Sequence, residues 1–269
     1  MSLRELTLVL GALSRRQGDF LTVVLAIDAL EYEKIEEFDC ENLKQVTYGK
    51  TDISEFDQPR TMVLWSSFMT GENKEEEILA KGDEEMWNTE FKIGETFFSN
   101  FKNPKIIDLP GFSYDRSQHE KERELMKEFF EEAENDEEKK EIREEYNQHG
   151  LKHHRKVKEQ FLNSLKKDHD FVLGYFSAAD VIGHLNFGNR VLMKMIYDDL
   201  DEIAQEIKEI RDDNLLVLSD HGMEGVGMFG DHNEYGFWSF DDGCNLDEPQ
   251  LTDFADFLVN LEKNGELKN

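Results

Sequence analysis

Leu21–Asp28 reads LTVVLAID, a continuous apolar run that stops on a carboxylate. Two more stretches share that grammar, Phe171–His184 (FVLGYFSAADVIGH) and Leu215–Gly222 (LLVLSDHG), and Gly230–Phe237 (GDHNEYGF) adds a further ligand residue type. They supply Asp180 with His184, Asp220 with His221, and His232. Unbroken apolar runs are expected of strands buried on both faces, and Lys105–Leu109 has the same character. Helical periodicity lies between the runs. It is clearest in Leu192, Met195, Ile196, Leu200, Ile203, Ile207 and Ile210, which lead into the strand at Leu215. Helix before strand, repeated, predicts βαβ crossovers and a doubly wound, mostly parallel α/β sheet flanked by helices. In such a sheet the loops past the strand ends open into one crevice.

The ligand types define the chemistry expected there. Three carboxylates and three imidazoles suit two borderline divalent cations such as zinc, with manganese or magnesium as alternatives. Asp180 and His184, four residues apart, share a helix face. Asp220 and His221 can both reach an ion if the backbone turns at Gly222. Asp231 is a candidate to orient His232. Glycines 225, 227 and 230 mark a loop before His232.

Pro59–Gly71 (PRTMVLWSSFMTG) carries the remaining piece. Thr61 precedes an apolar helical stretch and reads as its N-cap. A hydroxyl there lies beside free N–H groups and the positive end of a helix dipole, which suit a phosphate. A metal bound to that oxygen would make it a nucleophile near neutral pH.

Composition narrows the partners. The 269 residues suit one domain, residues 1–269, with residues 113–167 as an inserted helical cap rich in charge. Sixty acidic against 31 basic side chains give a net charge of −29. That argues against binding a nucleic-acid polymer or an anionic membrane surface. Two distant cysteines, Cys40 and Cys244, and the absence of a long apolar span predict a cytoplasmic chain without disulfides. Thr7–Leu13 is too short to span a membrane and is expected in a short terminal helix or a loose end. Leu251–Leu261 is expected as a closing helix. His119, His149, His153, His154 and His169 lie in or near the cap and read as solvent-facing, with His153 and His154 able to reach a substrate phosphate if the cap folds over the site. Trp65, Trp87 and Trp238 read as core or rim.

Taken in order, these pieces resemble the alkaline phosphatase superfamily, and most closely its type I phosphodiesterase/nucleotide pyrophosphatase branch. The resemblance runs from about Thr22 to Leu261 and leaves the cap unmatched. It implies an alkaline phosphatase-like fold and a two-metal phosphohydrolase acting on a small phosphate ester. Diester or pyrophosphate bonds would be cleaved through a phosphothreonine. By resemblance Asp180, His184 and His232 hold one ion, and Asp28, Asp220, His221 and the Thr61 oxygen hold the other. The nucleophile falls on Thr61, nine residues before Thr70-Gly71, rather than on Ser66 or Ser67. Met62-Val63-Leu64 stands where nucleotide pyrophosphatases carry Phe-Pro-Asn. The sulfatase nucleophile segment Cys-x-Pro-Ser-Arg has no counterpart. A phosphomonoesterase or phosphomutase of the same superfamily, a sulfuryl or phosphonate ester hydrolase, and a metal-stabilised binding protein without turnover are the alternatives.

Overall fold

The computed structural model describes residues 21–211, 214–244 and 246–267. The terminal helix expected around Thr7–Leu13 lies outside them. In chain order the regular elements are β1 (Thr22–Ile27), α1 (Tyr32–Phe38), α2 (Glu41–Lys44), β2 (Thr47–Asp52), α3 (Thr61–Thr70) and α4 (Glu75–Leu79). Three short 3₁₀ turns precede β3 (Pro104–Ile107), followed by α5 (Arg116–Lys127), a π turn (Glu128–Glu132) and α6 (Asp136–Ser164). Then come β4 (Phe171–Phe176), α7 (Ala178–Asn186), α8 (Arg190–Ile210), β5 (Asn214–Leu218), β6 (Met223–Val226), β7 (Phe229–His232), β8 (Tyr235–Phe240) and α9 (Asp253–Leu267).

Six strands form one sheet in the order β2-β8-β5-β1-β4-β3, and β6 and β7 form a separate hairpin. The pairs β5–β1, β1–β4 and β4–β3 are parallel, whereas β8 runs antiparallel to both β5 and β2. The fold is therefore a mixed, mostly parallel sheet of the α/β class, as the apolar runs predict. β1 explains why those runs are unbroken. Val24 and Ala26 face one core, with Trp65 and Phe68 of α3 and Phe254 of α9. Val23, Leu25 and Ile27 face the other, with Ile35 of α1, Phe161 of α6, Ile182 of α7 and Leu200 of α8. Side chains alternate along a strand, so a strand covered on both sides needs apolar residues at every position.

Helix α8 buries Met193, Ile196, Tyr197, Leu200, Ile203, Ala204 and Ile207, whereas Met195, expected in its stripe, faces solvent. Residues 113–167 contain α5, the π turn and α6. The last half of α6 carries Val157 and Phe161 into the core against the sheet, so it serves as the crossover helix between parallel strands β3 and β4. At the other end, Leu125, Phe129 and Tyr146 form a third cluster with Val181 and Leu185 of α7, joined by Phe229 of β7. His153 and His154, expected at the solvent surface, are buried instead. Each is held by a carboxylate, His153 by Asp108 at 2.5 Å and His154 by Asp199 at 2.6 Å. Cys40 and Cys244 are both free thiols. No helix of the described residues is long and apolar enough to cross a membrane.

Candidate metal centre

Three adjacent parallel strands, β5, β1 and β4, end side by side, and each hands its next residues to the crevice. Asp28 directly follows β1, where its N–H donates to the Phe176 carbonyl at 3.0 Å. Asp220 and His221 follow β5. Helix α7, which starts two residues after β4, presents Asp180 and His184 one turn apart. His232 comes from elsewhere: it ends the hairpin β6–β7, paired in register with Met223. The glycines before it belong to this hairpin rather than to a loose loop, and Gly227 sits in its turn at φ 68°.

All six ligand candidates meet. The Nε2 of His221 lies 3.3 Å from Asp28 Oδ1 and 3.5 Å from Asp220 Oδ2. Asp180 Oδ1 lies 3.1 Å from His184 Nε2 and 3.2 Å from His232 Nε2. The rings of His221 and His232 stack at 3.8 Å, which joins the two halves. Asp28, Asp220 and His221 have ligand atoms close enough to share one ion, and Asp180, His221 and His232 form a second such group. His221 thus belongs to both groups, a position that the sequence order does not reveal.

The donor chemistry fits cations. Asp28 Oδ1, Asp220 Oδ2 and His221 Nε2 are buried and make no hydrogen bond among the described residues. Three inward-facing polar atoms without hydrogen bonds, two of them carboxylate oxygens, would carry a desolvation cost that an ion between them would offset. The imidazole tautomers agree. His221 Nδ1 donates to the Gly222 carbonyl at 2.9 Å, and His184 Nδ1 lies 3.3 Å from the Gly230 carbonyl. An N–H spent on a carbonyl turns the Nε2 lone pair towards the carboxylates, as a metal ligand requires.

The protons register the same field. Burial pushes the Asp220 carboxyl well up, and the neighbouring Asp28 charge adds to it. Burial also opposes a charge on Asp180, but the His184 charge and the hydrogen bonds from His184 and His232 hold it well below the carboxylate range. Burial opposes a proton on the imidazoles, yet Asp220 and Asp28 lift His221 to about 10 and Asp180 lifts His184 to about 9. The crevice draws positive charge onto whatever can carry it, and divalent cations would take the place of those protons.

Thr61 does not cap its helix. Arg60 is the N-cap residue and Thr61 the first helical residue, while Gly71 closes α3 in the left-handed region at φ 69°. The fourth N–H, of Leu64, is the first with a helical acceptor, the Arg60 carbonyl at 2.9 Å. The N–H groups of the opening turn are thus left for an incoming anion. Trp65 of α3 packs edge-on against Tyr175 at 5.5 Å, and the Tyr175 hydroxyl donates to Asp28 Oδ2. That chain of contacts couples the Thr61 helix to the first candidate ligand. Ser66 and Ser67 are fully buried, and Ser67 is bonded to the Val63 carbonyl.

Two expectations about neighbours change. Asp231 does not hold the His232 ring; its carboxylate accepts the His232 backbone N–H at 2.9 Å. Gly222 does not take a positive φ. Its role is close approach, because a Cβ there would lie 2.4 Å from Glu31 Oε2. Glu31 is the residue that sequence reading misses. Its buried carboxylate accepts from Met223 N at 3.0 Å, Glu33 N at 3.0 Å, Tyr235 Oη at 2.7 Å and the Asn233 amide. Asn233 Oδ1 in turn accepts from Gly222 N at 2.9 Å. Glu31 therefore clamps the backbone just after His221 to that just after His232. An acid three residues past a ligand Asp was the available signal. Asp108 was also missed, because Lys105–Leu109 read as one strand. The strand stops at Ile107, and Asp108 turns into the left-handed region at φ 62° to meet His153.

The sheet agrees with the comparisons. Residues 22–236 match the family model for type I phosphodiesterase / nucleotide pyrophosphatase, and the chain belongs to that family. Among solved structures, a putative sulfatase from Bacteroides thetaiotaomicron aligns with TM-score 0.56 at 9% identity, covering 91% of this chain and 71% of that one. A protein from Pyrococcus horikoshii aligns with TM-score 0.50 at 11% identity, covering 92% and 98%. Murine ectonucleotide pyrophosphatase / phosphodiesterase 5 aligns with TM-score 0.42 at 13% identity over 77% of this chain. The chain spans 58% of the length of that murine protein. No curated protein matches the chain.

Proposed function

We propose that the protein hydrolyses phosphodiester or pyrophosphate bonds of small substrates, with Thr61 as nucleophile and two divalent cations in the crevice. Asp28, Asp220 and His221 would hold one ion together with the Thr61 oxygen, and Asp180, His184 and His232 the other. The observation that carries this reading is the trio of buried atoms that make no hydrogen bond and face one another, Asp28 Oδ1, Asp220 Oδ2 and His221 Nε2, in a member of this family. When bound, such cations would supply Lewis acidity to the phosphoryl oxygens and favour the ionised hydroxyl.

The chain's own groups do the rest. The opening turn of α3 offers N–H groups to a non-bridging oxygen. The Thr61 oxygen forms a bond to phosphorus as the bond to the leaving oxygen breaks, giving a phosphothreonine that water then hydrolyses. Tyr175, donating to Asp28, keeps that carboxylate aimed into the crevice. Arg60, the arginine next to Thr61, is engaged with Asp83. No arginine follows Thr61 within α3, so the extra charge of a monoester lacks a bidentate partner there. Diesters are accordingly favoured.

The test compares bis(4-nitrophenyl) phosphate with 4-nitrophenyl phosphate on wild type and Thr61→Ala. We expect the diester to be faster, and Thr61→Ala to keep its metals while losing about 10³-fold or more in kcat. Undiminished turnover by Thr61→Ala would reject the nucleophile, and a faster monoester would reject the preference.

A further inference from the structure

Asp83 stands between two arginines, one beside the proposed nucleophile and one beside the metal-ligand candidates. Arg60, the residue before Thr61, donates from Nη1 to Asp83 Oδ1. Arg123 of α5 donates from Nη1 to the Asp83 carbonyl at 3.4 Å, and it lines the same cavity as Asp180 and His184. One residue therefore joins the start of α3 to the wall beside Asp180.

The turn that carries Asp83 is anchored on both sides. Before it, Gly82 takes a positive φ of 82°, and its N–H donates to the Leu79 carbonyl at 3.0 Å. The Gly82 carbonyl accepts from Met86 N at 3.0 Å. Beyond it, Trp87 stacks on the His119 ring of α5 at 3.5 Å. The carboxylate is thus held in place by the backbone around it, while its tip stays open to water. The consequence follows from charge. A guanidinium one peptide bond from Thr61 is placed to take the second charge of a phosphate group held on the opening turn of α3. In this chain it is turned to Asp83. A dianion must draw Arg60 off that carboxylate and also meets the carboxylate's own charge; for a monoanion both effects are weaker. The pair is partly exposed, so it biases the choice of ligand rather than closing the site to dianions.

We propose that Asp83 sets the charge preference of the site: it holds Arg60 away from the phosphoryl group and so disfavours dianionic ligands against monoanionic ones. The proposal rests on the phosphoester reading of the crevice. It assigns the choice between esters to a residue on the turn after α4, outside the strand-end motifs.

Methylphosphonate, a dianion in alkaline buffer, and dimethylphosphinate, a monoanion, test it by titration calorimetry on the zinc-loaded full chain. Neither carries an ester bond to cleave. Asp83→Ala keeps the carbonyl that Arg123 uses and releases only Arg60. We expect it to tighten methylphosphonate at least about fivefold and dimethylphosphinate less than about twofold, as one charge-assisted contact at a part-exposed site requires. Glu84→Ala, which removes a neighbouring exposed carboxylate, should leave both affinities within about twofold. Arg60→Gln in the Asp83→Ala background should erase the gain, which a mere loss of negative charge would survive. An unchanged methylphosphonate affinity in Asp83→Ala, equal gains for both anions, the same gain in Glu84→Ala, a gain that survives Arg60→Gln, or a wild-type chain that binds neither anion would overturn the proposal. Hydrolysis of bis(4-nitrophenyl) phosphate by the same preparation decides the phosphoester reading separately. The charge shift without hydrolysis would leave the role of Asp83 standing and that reading refuted, and hydrolysis without the shift would refute the role of Asp83 alone.

Discussion

Glu31→Gln is the most informative change outside the ligand set. The carboxylate accepts four hydrogen bonds, and all four partners are donors: two backbone N–H groups, a phenol and an amide. A glutamine amide retains one accepting oxygen and turns an NH₂ group towards donors that cannot accept from it. The partners facing that nitrogen lose their acceptor. A hydrogen bond to a charged group contributes about 1.5–3 kcal/mol, and a buried donor left unsatisfied costs about 1–3 kcal/mol. With Glu31 buried and local relaxation recovering part of the loss, we expect destabilisation by about 2–4 kcal/mol. The second consequence is functional. Met223 N and Asn233 are the points at which Glu31 fixes the segments carrying His221 and His232. Loss of such support typically costs about 10–100-fold in metal affinity or activity. Urea denaturation of the chelated protein reads the first effect, and zinc titration of the folded variant reads the second. Stability within about 0.5 kcal/mol of wild type, together with zinc affinity within about twofold, would refute the clamp.

Further outcomes follow from the crevice charges and from packing. In the chelated protein, His184 near 9 and His221 near 10 lie above the ordinary histidine value of 6.5. Their raised values stabilise the fold fully below about pH 6.5 and cease to do so as pH rises through 9 and 10, on the order of 3 kcal/mol from His184 alone. Asp220, also raised, acts in the same direction. The chelated protein should therefore lose thermal stability between pH 6.5 and 10, whereas zinc, which displaces these protons, should bind more tightly over that range. A chelated Tm that rises with pH across that window would contradict the charge assignment. Gly174→Ala should destabilise by about 1–3 kcal/mol without altering metal stoichiometry, because its Cβ would lie 2.5 Å from the Phe161 ring. An unchanged denaturation midpoint would show that the ring has room to move.

The four parallel strands were legible because burial on both faces writes itself into sequence as unbroken apolar runs. β2 and β8 were not. β2, TYGKTD, is a polar edge strand, and β8, YGFWSF, carries Gly236 where its backbone passes against Ser219. Those residues look like a loop until the partner strand is known. The six candidate ligands stood out for the same reason as the strands, since each lies at or shortly after a strand end. The shared position of His221 was not, because ring stacking across the β6–β7 hairpin depends on how that hairpin folds back. His153 and His154 looked solvated because their run is charged, but their partners Asp108 and Asp199 lie 45 residues away in the chain. Long-range pairs of this kind leave no local mark. Glu31 escaped for the same reason, as three of its four donors lie beyond residue 220.

The proposed chemistry rests on two cations in the crevice. The direct measurement is zinc titration of the chelated full chain, with stoichiometry by mass spectrometry and diester hydrolysis followed on the same samples, for wild type and Asp220→Asn. About two equivalents are expected in wild type, with activity returning as the sites fill, and about one equivalent with little activity in Asp220→Asn. Diester hydrolysis that persists in the fully chelated protein, or a wild-type chain that takes up no zinc, manganese or magnesium, would contradict it.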